Sequence, residues 1–183
     1  EPVKLAGTIV KRASVHNAEQ IQKLDIREND VVIVEKGGEI IPKIVGVERE
    51  NNNEDSQPIK FIENCPICNA KLVKEEGEAA HYCPNYNHCP PQILGRFQHF
   101  VSKKAMNIDS LGAERIKILF SANLLKDFSS FYQLKQEDLI GLASFDKENK
   151  ASIQEKGANN IIQAINKSKE VEFEKVLYAL GIR

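Results

Sequence analysis

CPICNAKLVKEEGEAAHYCPNYNHC, residues 65–89, holds every cysteine of this chain. Cys65, Cys68, Cys83 and Cys89 follow a C-x2-C-x14-C-x5-C pattern, which admits three chemistries. Two disulfides suit a secreted domain, yet no N-terminal secretion pattern is visible. A redox C-x-x-C uses Cys65 and Cys68 alone and leaves Cys83 and Cys89 unexplained. A tetrahedral zinc site uses all four thiolates, each close pair offering two sulfurs from one tight turn. Pro66 and Pro84 each follow a ligand and stiffen that turn. The spacing therefore favours zinc. His81 and His88 lie beside ligands, but four thiolates close the shell, so both histidines are expected to be exposed. A closed shell leaves no position for water, so the expected metal is structural, one zinc per chain. So small a module has little core of its own, and the metal contributes on the order of 10–16 kcal/mol to its folding.

Upstream, residues 1–62 read as mainly β. GTIV and DVVIVEKGG are β-branched runs, followed by IIPKIVGV, with Gly37-Gly38 as the turn between the last two. Between the first two runs lies HNAEQIQKL. There Asn17 is placed to cap a helix, and Ala18, Ile21 and Leu24 share one face. Short strands around one helix predict a small barrel such as an OB-fold. Pro42 inside a strand-like run implies an edge or a bulge. ERENNNEDSQP reads as a polar loop and a domain boundary near residues 48–58.

Downstream the pattern turns helical. Ile93, Phe97, Phe100 and Val101 share a face, with Arg96, Lys103 and Lys104 largely off it. After NIDSLG, the residues Ala113, Ile116, Leu119 and Phe120 recur at helical spacing. A second unit runs from QEDLIGL to GANNIIQAINKSK with Ile161, Ile162 and Ile165 as its buried stripe. A third begins at FEKVLYALGIR, with Phe173, Val176, Leu177 and Leu180 expected in the core. A glycine turn ahead of a helix leaves backbone N–H groups uncovered at the positive end of the helix dipole. That arrangement holds phosphate without reading a base. Arg115, Lys117 and Lys156 lie in these segments and add charge.

The composition, 42% hydrophobic and 28% charged, is that of a globular domain, and no apolar run is long enough for a membrane helix. The net charge is −1, distributed as −2 over residues 1–62, −2 over 63–91 and +3 over 92–183. Only the last segment points, weakly, to phosphate. The chain begins EPVKLAG without Met and reads as an excised piece or a processed product.

Barrel, four-cysteine module and helical array, in this order, resemble the central part of bacterial NAD-dependent DNA ligase. The stretches VKLAGTIVKRASVHNAEQIQKLDI, GGEIIPKIVGV, HFVSKKAMNIDSLG and FEKVLYALGIR carry the resemblance together with the cysteine spacing. It implies a multidomain α+β chain. Residues 1–62 would be a partial OB-fold β-barrel lacking its first strand, 63–91 a small four-cysteine zinc finger, and 92–183 an all-α helix-hairpin-helix domain truncated at its C-terminus. The family charges a lysine of a K-x-D-G motif with AMP from NAD. It passes AMP to the 5′-phosphate of a nick, and the 3′-hydroxyl then displaces it. No K-x-D-G occurs here, so NAD and Mg²⁺ are expected to bind outside these residues, and no catalytic residue is expected within them.

By the same resemblance the partner is nicked duplex DNA held without sequence preference by a monomeric, bacterial, cytoplasmic and nucleoid-associated enzyme of replication and repair. Lys36 matches a basic, DNA-facing position. Arg12, His16 and Asn17 match the RA-x-x-HN stretch, and Lys103 and Lys104 match a basic pair before the first hairpin. Lys43 is a weaker candidate, and Arg115, Lys117 and Lys156 rest on charge and location alone. Asn17 acting only as a helix cap, and the lysines as ordinary solvated charges, are the plainer readings. Three departures stand out: Ser110 where family members often carry glycine, an irregular SFDKENKASIQEKGANN segment without a glycine before its helix, and Asn29 in place of a turn glycine. Asn29 is expected to adopt the left-handed conformation. The competing functions are a non-catalytic nucleic-acid module of another repair or transcription protein, and a structural zinc protein acting through protein contacts.

Overall fold

The computed structural model describes residues 2–5, 7–37, 41–48, 56–143 and 152–182, with the backbone alone at Lys36. Gly38 of the expected turn, most of the Asn-rich boundary, and the whole SFDKENKA stretch lie outside the described residues. The chain forms two compact units, residues 1–84 and 85–183.

In the first unit, β1 (Val3–Leu5) pairs antiparallel with β2 (Thr8–Val10), in the register Val3 to Val10. The connection is two residues long, and Gly7 takes φ +77°, a conformation glycine reaches without a Cβ penalty. The GTIV run is thus a strand as expected, and VKL is its partner, which β-branched content alone does not single out. Asn17 caps α1 (Ala18–Leu24) by accepting a hydrogen bond from the Gln20 N–H at 2.9 Å. Asp25 ends the helix in the left-handed region, and Asn29 follows at φ +68°, as expected for a residue replacing a turn glycine. β3 (Val32–Gly37) pairs antiparallel with β4 (Ile41–Val47), with an irregularity between Ile33 and Val34.

Pro42 lies opposite Lys36. On the outer side of β4, the Ser14 N–H donates to the Pro42 carbonyl, and the Ile44 N–H donates to the Ser14 carbonyl, each at 3.0 Å. That short parallel bridge asks position 42 only for an acceptor, so the missing proline N–H removes no bond.

The buried residues of this unit are few: Ala18, Ile26, Cys65 and Cys83 among those described. Val3, Ile9, Val31, Ile33, Ile41, Phe61 and Ile62 are exposed. So thin a core leaves much of the organisation of the unit to hydrogen bonding and to the cysteine site.

The regular structure of the second unit, among its described residues, is all helical: α2 (Pro90–Val101), α3 (Ala113–Ser121), a 3-10 turn (Ser129–Gln133), α4 (Gln136–Leu139), α5 (Glu155–Ser168) and α6 (Phe173–Ala179). Phe97, Phe100, Ile116, Leu119, Leu125, Phe131, Leu139, Ile161 and Ile165 lie in one continuous core. Aromatic rings fix its centre. Phe97 meets Phe131 edge-on at 5.4 Å, and Phe100 stacks on Phe128 at 4.6 Å. The expected faces of α2 and α5 are borne out at Phe97, Phe100, Val101, Ile161 and Ile165.

Three expectations about burial are corrected. Ala113 is exposed, and Ile118 is buried in its place on α3. On α6, Phe173 is 72% and Leu180 46% exposed, whereas Ala179 is 1% exposed. The helix is two turns long and packs on α2. Ala179 and Val176 make the contact with the core, so the larger side chains of the periodic stripe fall at its margin. His81 is half-buried instead of exposed, its ring 4.9 Å from that of Phe61.

Candidate metal centre and nucleic-acid interface

The cysteine segment is built from short turns. The Asn69 N–H donates to the Cys65 carbonyl at 2.9 Å and the Cys65 N–H to the Ala70 carbonyl at 2.8 Å. Asn69 stands at φ +57°, which lets the chain reverse immediately after Cys68. Val73 and Tyr82 exchange two backbone bonds of 2.9 Å, which brings the distant Cys83 back beside the first pair. The second turn closes with the Cys89 N–H donating to the Asn85 carbonyl at 2.8 Å, and Cys89 then stands at the N-cap of α2, with Pro90 and Pro91 in the first turn.

The four sulfurs lie within 4.8 Å of one another, and Cys68 Sγ is 3.5 Å from Cys83 Sγ. No disulfide joins them. Four sulfurs on a tetrahedral Zn²⁺ with bonds of about 2.3 Å stand about 3.8 Å apart, so the donor set and its spacing fit zinc. Cys65, Cys83 and Cys89 are buried and Cys68 is half-buried. With all four donors protein thiolates, the metal would organise the segment and would not activate water.

The candidates for DNA contact fall in two places. In the first unit, Arg12 and His16 are exposed and Asn17 is half-buried. His16 is held at φ +62°, with its N–H donating to Ser14 Oγ at 3.0 Å. Asn17 is occupied as the α1 cap. Lys43 is half-buried on β4, and its bridge to Ser14 brings it beside the Arg12–Asn17 segment. Lys36 lies in β3 opposite Pro42, one register position from Lys43.

In the second unit, the connection between α2 and α3 is sharply folded. The Met106 N–H donates to the Phe100 carbonyl and the Ile108 N–H to the Val101 carbonyl, each at 3.0 Å, while Ile108 and Leu111 are buried. Ser110 takes φ +69°, the left-handed conformation glycine would supply without strain. Gly112 follows as the N-cap of α3. Among the described hydrogen bonds, none engages the N–H of Ser110, Leu111 or Gly112. Lys103 and Lys104 are exposed ahead of this turn.

Arg115 and Lys117 are partly committed elsewhere. Arg115 Nη1 donates to the Ser110 carbonyl at 2.6 Å, and Lys117 pairs with Glu114 at 2.8 Å. Arg115 thus supports the turn from within. Lys156 is exposed in the first turn of α5, whose N-cap is Gln154, with no glycine there. The base of the irregular segment is closed by bonds between Gly141 and Ile153 at 2.9 Å and between Ile153 and Leu142 at 2.7 Å.

Two features escaped the sequence. Lys74 pairs with Glu19 across 55 positions, and Phe61 packs on His81. No local pattern signals a pairing over such a separation.

Residues 1–56 match the family model of the NAD-dependent DNA ligase OB-fold domain, and residues 64–90 match that of the NAD-dependent DNA ligase C4 zinc finger domain. Over 183 residues the chain is 51% identical to a DNA ligase of Christiangramia forsetii, 53% to one of Flavobacterium johnsoniae and 51% to one of Bacteroides fragilis. Each match covers the whole of this chain and 26% of the relative. The chain therefore spans about a quarter of the length of the curated relatives it matches. Residues 1–56 and 64–90 thus match, in order, the OB-fold and C4 zinc finger domains of NAD-dependent DNA ligases, on a chain about half identical to curated DNA ligases along its whole length.

Proposed function

We propose that these residues form part of the DNA clamp of an NAD-dependent ligase that seals 5′-phosphate/3′-hydroxyl nicks through AMP-lysine and AMP-DNA intermediates in replication and repair. The observation that carries this reading is the co-linear match of OB-fold and C4 finger on a chain about half identical to DNA ligases along its whole length. Three parts share the work: an OB-fold over 1–62, a zinc finger over 63–91 and a helix-hairpin-helix domain over 92–183. Cys65, Cys68, Cys83 and Cys89 hold one structural zinc. Arg12, His16, Asn17, Lys36 and Lys43 face the duplex from the first part. Lys103 and Lys104, together with the uncommitted N–H groups of Ser110, Leu111 and Gly112, hold backbone phosphate at the first hairpin. Arg115 supports that hairpin, and Lys117 and Lys156 add positive charge nearby. The partner is a nicked duplex bound as a monomer, in the bacterial cytoplasm and at the nucleoid.

Binding of this kind is governed by counterion release. Affinity for a nicked duplex is expected to fall steeply with salt and to be insensitive to base sequence. Replacing Lys36, Lys103 and Lys104 together by Ala is expected to weaken binding and to lower the log–log salt slope by about 2–3, one contact each. Fluorescence anisotropy over a salt series measures both, and an unchanged slope would remove these lysines from the interface.

The adenylated lysine belongs to a K-x-D-G motif not found in these 183 residues. Incubation with NAD and Mg²⁺ is therefore expected to leave the chain unmodified by intact-mass spectrometry. An AMP adduct on any lysine here would contradict the assignment of adenylation to another part of the enzyme.

A further inference from the structure

Lys74 lies in the cysteine finger, next to the Val73–Tyr82 backbone pair, and its Nζ forms an ion pair with Glu19 in the first turn of α1. Glu19 follows His16 and Asn17 by two or three residues, so the pair grips the end of α1 from which the Arg12–Asn17 turn emerges. Beside it, the half-buried His81 ring packs on Phe61, at 4.9 Å and 46°. A cavity of about 600 Å³ is lined there by Ala18, Gln22, Phe61, Leu72, Lys74 and His81. The Lys74–Glu19 pair thus joins finger and helix at the rim of that cavity.

We propose that Glu19 and Lys74 are positioning residues for DNA binding: they transmit the order of the zinc finger to the start of α1 and so hold the Ser14–Asn17 turn in its DNA-facing conformation. The proposal rests on the DNA-binding reading above. Its local chemistry is coherent. The Lys74 hydrogen bond and charge hold the Glu19 carboxyl below the usual carboxylate range, with His81 as a lesser contributor, so the acid is ionised for pairing at neutral pH. One end of the turn is tied to β4 by the two Ser14 backbone bonds and the other runs into α1; between them His16 sits at φ +62° and is tied only to Ser14 by the bonds described, so the α1 end rests on how the helix is held. An exposed pair makes a modest contribution, which sets the size of the effect.

Charge reversal tests it. Both side chains are partly exposed, 31% for Lys74 and 59% for Glu19, so Lys74→Glu and Glu19→Lys are compatible with folding. Each single variant is expected to speed amide exchange across residues 18–22 and to weaken nicked-duplex binding at low salt by about threefold. The double variant is expected to restore both. Glu19→Lys is the decisive arm. Simple electrostatics makes this more basic chain bind DNA more tightly, whereas loss of positioning makes it bind more weakly. Tighter binding with unchanged exchange would overturn the proposal and leave the DNA-binding reading standing. Failure of the unmodified chain to bind a nicked duplex at low salt would overturn that reading, and this proposal with it.

Discussion

Chelating the metal is expected to unfold residues 64–90 while the helical unit keeps its structure. The finger has little apolar substance: its buried residues are the cysteines themselves, and Ile67, Val73 and Tyr82 are exposed. Its regular backbone pairing is limited to the Val73–Tyr82 and Asn64–Lys71 bridges. With so little apolar burial, the metal, at on the order of 10–16 kcal/mol, is the largest single contribution holding the segment. The helical unit has a continuous core independent of any ion. Hydrogen exchange followed residue by residue should therefore show protection at Val73 and Tyr82 vanishing with a strong chelator, and protection in α2, α3 and α5 persisting. Metal analysis should give about one zinc per chain before treatment, and Cys65→Ser should lower it. Unchanged protection of the finger after complete metal loss would refute a structural zinc.

Phe131→Ala is expected to destabilise the helical unit by about 3–5 kcal/mol. Phe131 is 0% exposed and touches two other rings, edge-on to Phe97 at 5.4 Å and stacked with Phe100 at 5.5 Å. Truncation removes the buried ring, leaves a cavity between α2 and the 3-10 turn, and forfeits both aromatic contacts. For a unit of this size each kcal/mol lowers the Tm by about 4–8 °C, an effect easily read by calorimetry. The matched control is Phe173→Ala. It deletes the same atoms from a side chain that is 72% exposed, so its effect should stay within about 0.5 kcal/mol. Equal losses at the two positions would mean that α6 is buried as its periodicity alone suggests.

That contrast shows where periodicity stops being informative. The spacing of Phe97, Phe100 and Val101, and of Ile161 and Ile165, correctly places core faces, because α2 and α5 are long enough for one face to lie against several neighbours. On α6 the same spacing points to Phe173 and Leu180, which are exposed, because a two-turn helix meets its neighbour over a small area and Ala179 occupies it. Capping and turn chemistry read more reliably. Asn17, Asn29 and Gly112 do what their residue types favour, since a cap or a left-handed turn depends on a few adjacent atoms. His81 went the other way: chain position beside a ligand suggested exposure, and packing on Phe61 half-buried it.

The candidate site divides along the same line. Cysteine spacing by itself favoured a four-thiolate zinc site. β-branched runs and helical periods determined the order of the strand-rich and helical regions, and these stretches together carried the likeness to the ligase family. Ligand identity, turn residues and hydrophobic period are properties of short stretches of chain, so all of this was legible without coordinates. Tertiary structure alone decided that Lys74 meets Glu19, that Arg115 turns back onto the Ser110 carbonyl, and that Ser14 bridges to β4 beside Lys43. Such pairings depend on how separate segments come together in space, and a charged residue carries no local mark of the partner it will find.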